Sequence, residues 1–277
     1  IRAAQLYKLL VEIASGSAHH NELDDPLTAR PLPYDATFAL QYPLRILLAE
    51  DNPVNKRVAV RFLERLGYQV DTVANGEEAV EAVQRQPYDL VFMDVRMPEM
   101  DGLEATRRIR KDLPPERQPR IVAMTAYAYK DDLAACISAG MDDTLTKPIQ
   151  FDLLAAVLRK HHTQNDQLAS PPAPVLQGSN ILDDLGEDRD EIVGLLMKSL
   201  EDKFGLLAKA WAEGDLLAVR ECAHQLKSDS GYLGAVELAN LMLEIEHTAS
   251  AGKPTNMDLQ KKARDYIEQV QQAYRTR

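Results

Sequence analysis

With 277 residues, 45% of them hydrophobic and 27% charged, the chain is long and apolar enough to build about two cores of ordinary globular protein. Its formal net charge of −11 argues against nucleic acid as a partner. No apolar run approaches the ~18 residues of a membrane span and no secretory signal is visible, so this segment is expected to be cytoplasmic without membrane contact, whatever anchors a longer parent. Cys136 and Cys222 lie far apart in predicted helices and read as small buried residues of a reducing compartment.

The chain opens on Ile rather than Met, and Ile1–Ile13 places apolar residues at 6, 9, 10 and 13, the spacing of an amphipathic helix. Ile1, Leu6, Leu9 and Leu10 fall where Ile149, Leu154, Val157 and Leu158 fall further on, so the segment reads as the last helix of an earlier domain of the same kind. Ala14–Pro43, with four prolines and little periodicity, reads as a linker. Residues 44–160 then alternate short apolar runs with helical patterns. Strands are predicted at Ile46–Ala49, Gln69–Val73, Leu90–Asp94, Ile121–Thr125 and Asp143–Thr146. Helices are predicted at Pro53–Leu66, Gly76–Gln84, Gly102–Lys111, Lys130–Ala139 and Phe151–Lys160. This alternation implies parallel βαβ units in a doubly wound, flavodoxin-like α/β sheet.

Four of these strands end in groups that carry chemistry. The stretch LVFMDVRMPEMDG, residues 90–102, stops its apolar run at Asp94 before turning through Pro98 and Gly102. Ile46–Ala49 runs into Glu50-Asp51, Ile121–Met124 into Thr125, and Asp143–Thr146 into Lys147-Pro148. In an open α/β sheet the carboxyl ends of the strands are where ligands bind, so three carboxylates, a hydroxyl and an ammonium are expected around one pocket. Crowded carboxylates call for a hard cation such as Mg²⁺, and a carboxylate can accept a phosphoryl group whose oxygens a metal and a lysine neutralise.

The order and spacing of these groups resemble the receiver domain of two-component response regulators over about residues 44–160. The resemblance implies that Asp94 is the phosphoryl acceptor and that Mg²⁺ is the cofactor. Glu50, Asp51, Asp94 and the backbone carbonyl of Arg96 would hold it. Thr125 and Lys147 would contact the phosphoryl oxygens, with Lys147-Pro148 as a cis peptide. Two departures stand out. Thr144 takes the place of the aromatic residue usual three positions before the lysine, so the aromatic half of the family's switch is in question, with Tyr127 or Tyr129 as substitutes. The two positions that tune dephosphorylation hold the bulky Arg96 and Tyr127, which implies shielding from water. An aspartate-dependent phosphatase of the haloacid dehalogenase kind would need a second aspartate where Arg96 stands.

Residues 161–180 are polar and carry Pro171, Pro172 and Pro174, an interdomain linker that as flexible coil spans roughly 20–25 Å. His19-His20 and His161-His162 are adjacent pairs without further ligands at metal spacing, which argues against zinc.

From residue 181 to 277 strand patterns give way to helical ones at Asp188–Trp211, Asp215–Leu233, Val236–Ala251 and Asn256–Tyr274, predicting an antiparallel four-helix bundle with Asp215 as an N-cap. Leu216, Val219, Ala223, Leu226, Ser230 and Leu233 form the buried stripe of its second helix. His224 lies one residue off that stripe, beside Lys227 and the small Ser228 and Gly231, and a neutral imidazole is a competent nucleophile near pH 7. The string AHQLKSDSGYLGA resembles the signature of histidine-phosphotransfer (HPt) domains, which makes His224 the phosphorylated histidine and Lys227 its partner. Ser228 replaces the usual glycine, and Asp229 beside it would repel phosphate or prefer a basic partner.

A receiver followed by an HPt domain is the C-terminal arrangement of hybrid sensor histidine kinases. No ATP-binding kinase segment accompanies it here, so a kinase domain of the parent chain is the expected donor and a separate response regulator the expected recipient. Two functions remain open. In one, Asp94 passes its phosphoryl group to His224 in a phosphorelay, within one chain or across a dimer. In the other, phosphorylation switches contacts of an upstream kinase or partner without internal transfer.

Overall fold

Strands covered on both faces read as continuous apolar runs rather than alternating ones. In the computed structural model, which describes residues 37–125, 130–163 and 182–275, Ile46–Ala49 (β1) and Leu90–Asp94 (β3) are buried along their whole length. With Val70–Val73 (β2), Arg120–Thr125 (β4) and Asp143–Thr146 (β5) they form a parallel sheet in the order β2-β1-β3-β4-β5, with β1 and β3 adjacent at the point where the order reverses. That is the expected doubly wound topology.

The short helix α1 (Phe38–Gln41) precedes the sheet; its Phe38 is buried, and the Tyr68 hydroxyl donates to the Tyr42 carbonyl at 2.6 Å. This stretch, read as linker, thus packs on the domain it precedes. Between the strands run α2 (Pro53–Arg65), α3 (Gly76–Arg85), α4 (Gly102–Asp112), α5 (Lys130–Ala139) and α6 (Phe151–Thr163). Each of α2, α3 and α4 begins on a side-chain cap from Asn52, Asn75 or Asp101, which accepts from backbone N–H groups of the first turn. One face of the sheet, with Leu47, Ala49, Val91, Met93, Ile121 and Ala123, packs on apolar residues of α3 and α4 and on Cys136 of α5. Helix α6 runs three residues past the predicted end. Its His161 is buried with Nε2 3.1 Å from Asp143, and Lys160 pairs with the same carboxylate at 3.0 Å.

The C-terminal part is helical: a 3₁₀ turn at Asp183–Asp188, then α7 (Arg189–Glu213), α8 (Leu216–Tyr232), α9 (Val236–Ser250) and α10 (Met257–Arg275). Gly214, in the left-handed region at φ 71°, ends α7, and Asp215 caps α8 by accepting from the N–H groups of Leu217 and Ala218 at 3.0 Å each. The stripe of Val219, Ala223, Leu226, Ser230 and Leu233 is buried. Helix α8 packs against both α7, where Ile192, Leu196 and Leu200 are buried, and α9, where Leu238, Met242 and Ile245 are buried, in the expected bundle. The N-terminal helix at residues 1–13, Tyr127, Tyr129 and most of the predicted linker lie outside the described residues. Among the described residues no helix is long and apolar enough to cross a membrane.

Candidate functional site

The sheet topology brings the ends of β1, β3 and β5 together. Carboxylate oxygens of Glu50, Asp51 and Asp94 lie within 4.8 Å of one another. Lys147 reaches across them: its Nζ is 2.5 Å from Glu50 Oε2 and 2.6 Å from Asp94 Oδ2, with the ammonium almost wholly buried. Backbone hydrogen bonds hold the frame, with Val95 N–H donating to Met124 O at 3.2 Å and Lys147 N–H to Thr125 O at 2.7 Å. The Lys147-Pro148 peptide is cis. Thr125, half-buried, closes the end of β4.

One ammonium does not neutralise three carboxylates. Burial, with the Asp94 charge adding to it, pushes Glu50 up to about 7 against the pull of Lys147. Burial also raises Asp94, and burial and the Glu50 charge raise Asp51. Lys147 shifts the other way; burial disfavours its charge, but the Asp94 and Glu50 carboxylates outweigh that and hold it firmly protonated. A set of close oxygens still short of positive charge fits a divalent cation.

The helical bundle sits against this same edge of the sheet. Tyr232, fully buried in α8, accepts from the Ile149 N–H at 3.1 Å, just past the cis peptide. A Cβ on Gly231 would lie 3.2 Å from the Pro148 ring, so the absence of a side chain there lets the two backbones close up. The Asn52 amide donates to Asp229 at 3.2 Å, and the Ser228 hydroxyl donates to Asn55 at 3.2 Å. Gln225 points its amide at Asp51 from 3.5 Å. Farther out, Arg57 pairs with Glu191 at 2.8 Å and Arg61 with Asp188 at 3.3 Å.

His224 therefore stands on the helix face that meets the carboxylate pocket. Its Nδ1 is 3.0 Å from Glu246 Oε1 on α9, and Lys227 Nζ is 2.7 Å from Glu246 Oε2. The Arg96 guanidinium takes the same Oε1 from across the domain boundary. Burial works to raise Glu246, but the hydrogen bond from His224 and the charges of His224 and Lys227 prevail and hold it at about 2. Burial lowers His224, against the hydrogen bond and charge of Glu246. An ionised carboxylate on Nδ1 fixes the proton there and leaves the Nε2 lone pair available.

The predicted set is thus gathered in two adjoining clusters, Glu50, Asp51, Asp94, Thr125 and Lys147 at the sheet edge, and His224 with Lys227 on α8. Lys227 is buried in its pair with Glu246 rather than displayed on an open face. Glu246, Asn52 and Asn55 escaped the sequence reading. The first is one acidic residue among several on an amphipathic helix, whereas Asn52-Pro53 carries a legible cap signal with no hint of its interdomain bond.

Comparison with known proteins agrees with this architecture. The response regulator receiver domain family matches residues 46–159, and the Hpt domain family matches residues 191–273. The chain belongs to the two-component phosphorelay proteins, a receiver domain followed by an HPt domain. More particularly, it resembles the receiver-plus-HPt regions of hybrid sensor histidine kinases. The sensor protein GacS of Pseudomonas syringae pv. syringae is 30% identical over 266 residues, covering 90% of this chain and 28% of that protein. The aerobic respiration control sensor protein ArcB of Escherichia coli (strain K12) is 31% identical over 237 residues, covering 81% of this chain and 29% of that protein. The crystal structure of the receiver domain of a sensor histidine kinase from Pseudomonas aeruginosa PAO1, with a magnesium ion coordinated in its active site cleft, is 44% identical. It covers 43% of this chain and 97% of that one, at a TM-score of 0.41. The chain spans less than a third of the length of the two sensor proteins.

Proposed function

We propose that this chain is the relay portion of a hybrid kinase. Asp94 receives a phosphoryl group from a kinase histidine of the parent chain, His224 takes it from Asp94, and the aspartate of a separate response regulator receives it in turn. The observation that carries this reading is the seating of the His224 face of α8 on the carboxylate pocket, through the Asn52–Asp229, Ile149–Tyr232 and Arg96–Glu246 contacts.

Glu50, Asp51, Asp94 and the Arg96 backbone carbonyl are the groups that would hold Mg²⁺, which supplies charge neutralisation at the phosphoryl oxygens. The Lys147 ammonium, already on Asp94, neutralises a further oxygen, and the Thr125 hydroxyl donates to a third. In the transfer step the His224 Nε2 lone pair attacks phosphorus. An N–P bond forms as the P–O bond to Asp94 breaks, and the Asp94 carboxylate keeps the bonding pair. The Nδ1 proton stays against Glu246, whose negative charge offsets the positive charge gained by the ring.

Labelling with acetyl phosphate and Mg²⁺ tests this on the wild type, Asp94→Asn and His224→Gln, with aspartyl phosphate, an acyl phosphate cleaved by base and by hydroxylamine, distinguished from phosphohistidine, which acid cleaves and base spares. Phosphohistidine in the wild type that both variants lose is the expected result. Phosphate that remains on Asp94 in the wild type overturns the internal relay and leaves the conformational switch.

A further inference from the structure

Asp229 departs from the signature around His224, and a carboxylate at that position invites repulsion of phosphate. It is instead completely buried. Ser199 Oγ and Lys203 Nζ of α7 donate to its Oδ2 at 2.7 and 3.0 Å, and Asn52 Nδ2 of the receiver donates to Oδ1 at 3.2 Å. A buried carboxylate is tolerated only when its lone pairs are met, and one of these three donors comes from the other domain.

Asn52 has only one way to turn. Its Oδ1 caps α2, accepting from the N–H groups of Val54 at 2.9 Å and Asn55 at 3.4 Å, so its NH₂ group is the part that faces α8. Asn55 is turned in the opposite sense. Its Nδ2 donates to Glu50 Oε1 at 3.0 Å, which leaves Oδ1 to accept from Ser228. Two successive residues of α8 thus read two amides at the start of the helix that follows the acidic pair, each amide oriented by a bond inside the receiver. The outer Arg57–Glu191 and Arg61–Asp188 pairs are more exposed and discriminate less.

We propose that Asp229, supported by Ser228, is the specificity determinant of this HPt surface: it accepts a receiver that offers an amide donor at the position of Asn52 and excludes one that offers a carboxylate there. The functional consequence rests on the relay reading above, while the docking rule itself does not. A response regulator served by the same face would need an amide or cationic side chain immediately after its acidic pair.

The test is Asn52→Asp in the full chain, alone and with Asp229→Asn. The single substitution keeps a capping oxygen for α2 and sets two carboxylates against each other; the double substitution restores one donor and one acceptor in reversed order. Two readouts are followed, hydrogen exchange of the α8 segment 226–232 and transfer from Asp94 to His224. Asn52→Asp is expected to lose exchange protection in that segment and about tenfold or more in transfer rate, with direct Asp94 labelling retained. The double variant is expected to recover most of both. Unchanged protection in Asn52→Asp, or a double variant no better protected than the single one, overturns the docking rule. Full exchange behaviour as expected, with no phosphohistidine even in the wild type, upholds the docking rule and overturns the relay reading instead.

Discussion

The Arg96 guanidinium, two residues past Asp94, and the Nδ1 of His224 converge on one oxygen of Glu246, so a single carboxylate of the helical bundle joins the receiver pocket to the histidine. Glu246 is nearly inaccessible to solvent, and its second oxygen is occupied by Lys227. On the relay reading proposed above, Glu246 would position the imidazole and offset the charge that the ring gains on phosphorylation.

Glu246→Gln keeps an acceptor near Nδ1 and removes the charge. Phosphorylation of His224 is expected to slow about 10–100-fold, the range seen when a carboxylate that orients a histidine is lost, while acetyl phosphate still labels Asp94. Following the two phosphorylated species against pH separates this from a packing defect, because loss of the carboxylate moves the His224 titration down, whereas a packing defect that exposes the ring relieves its burial and moves the titration up.

Mg²⁺ binding should depend on pH through Glu50. Its carboxyl is pushed up to about 7, so below that pH the metal must displace a proton. Apparent Mg²⁺ affinity is therefore expected to be about tenfold weaker at pH 6 than at pH 8, with proton release visible by calorimetry in buffers of different ionisation enthalpy. The same raised value means that the metal-free protein binds more protons folded than unfolded between about 4.5 and 7, so its stability falls as pH rises through that window and Mg²⁺ restores it. Chelation should reduce Asp94 labelling to background.

Asp143 behaves in the opposite sense. Burial works to raise it, but hydrogen bonds from His161, Lys160 and the Thr144 N–H prevail and hold it at about 2. Its folded value lies below its unfolded one, so its stabilisation is present above about pH 4 and is lost as pH falls toward 2. Asp143→Asn should cost about 2 kcal/mol near neutrality, and urea midpoints of the two proteins should converge as pH is lowered below 4.

Gly102 opens α4 against the end of β3, where an added Cβ would lie 2.1 Å from the Asp94 carbonyl oxygen. That oxygen belongs to the backbone and cannot step aside. Gly102→Ala is expected to destabilise the receiver by about 3 kcal/mol and to disturb Asp94. Gly205→Ala, in α7 with nothing within 4 Å of its added Cβ, should instead stabilise by about 1 kcal/mol, and urea unfolding of both variants checks the contrast.

Much of the architecture is readable from residue order. The unbroken apolar runs at Leu90–Met93 and Ile121–Met124 announce strands covered on both faces, and the groups that follow each run fall at the carboxyl edge of the sheet because parallel strands all end on the same side. The stripe through Val219, Ala223 and Leu226 likewise places His224 off the core of its helix. Thr144 is less informative: it occupies the aromatic position, half-buried, with only its backbone N–H on Asp143 among the bonds described above.

Local patterning thus determines the strands, the helices, their caps and the edge at which Glu50, Asp51, Asp94, Thr125 and Lys147 gather, since each depends on neighbours a few positions away. The tertiary structure alone decides that Asp229 is a buried acceptor for Asn52, that Lys227 is spent on Glu246, and that Arg96 reaches the carboxylate that holds His224. Those bonds join polar residues far apart in sequence, and a polar side chain on the surface of an isolated helix carries no periodic signal of the partner it will meet when two domains close on each other.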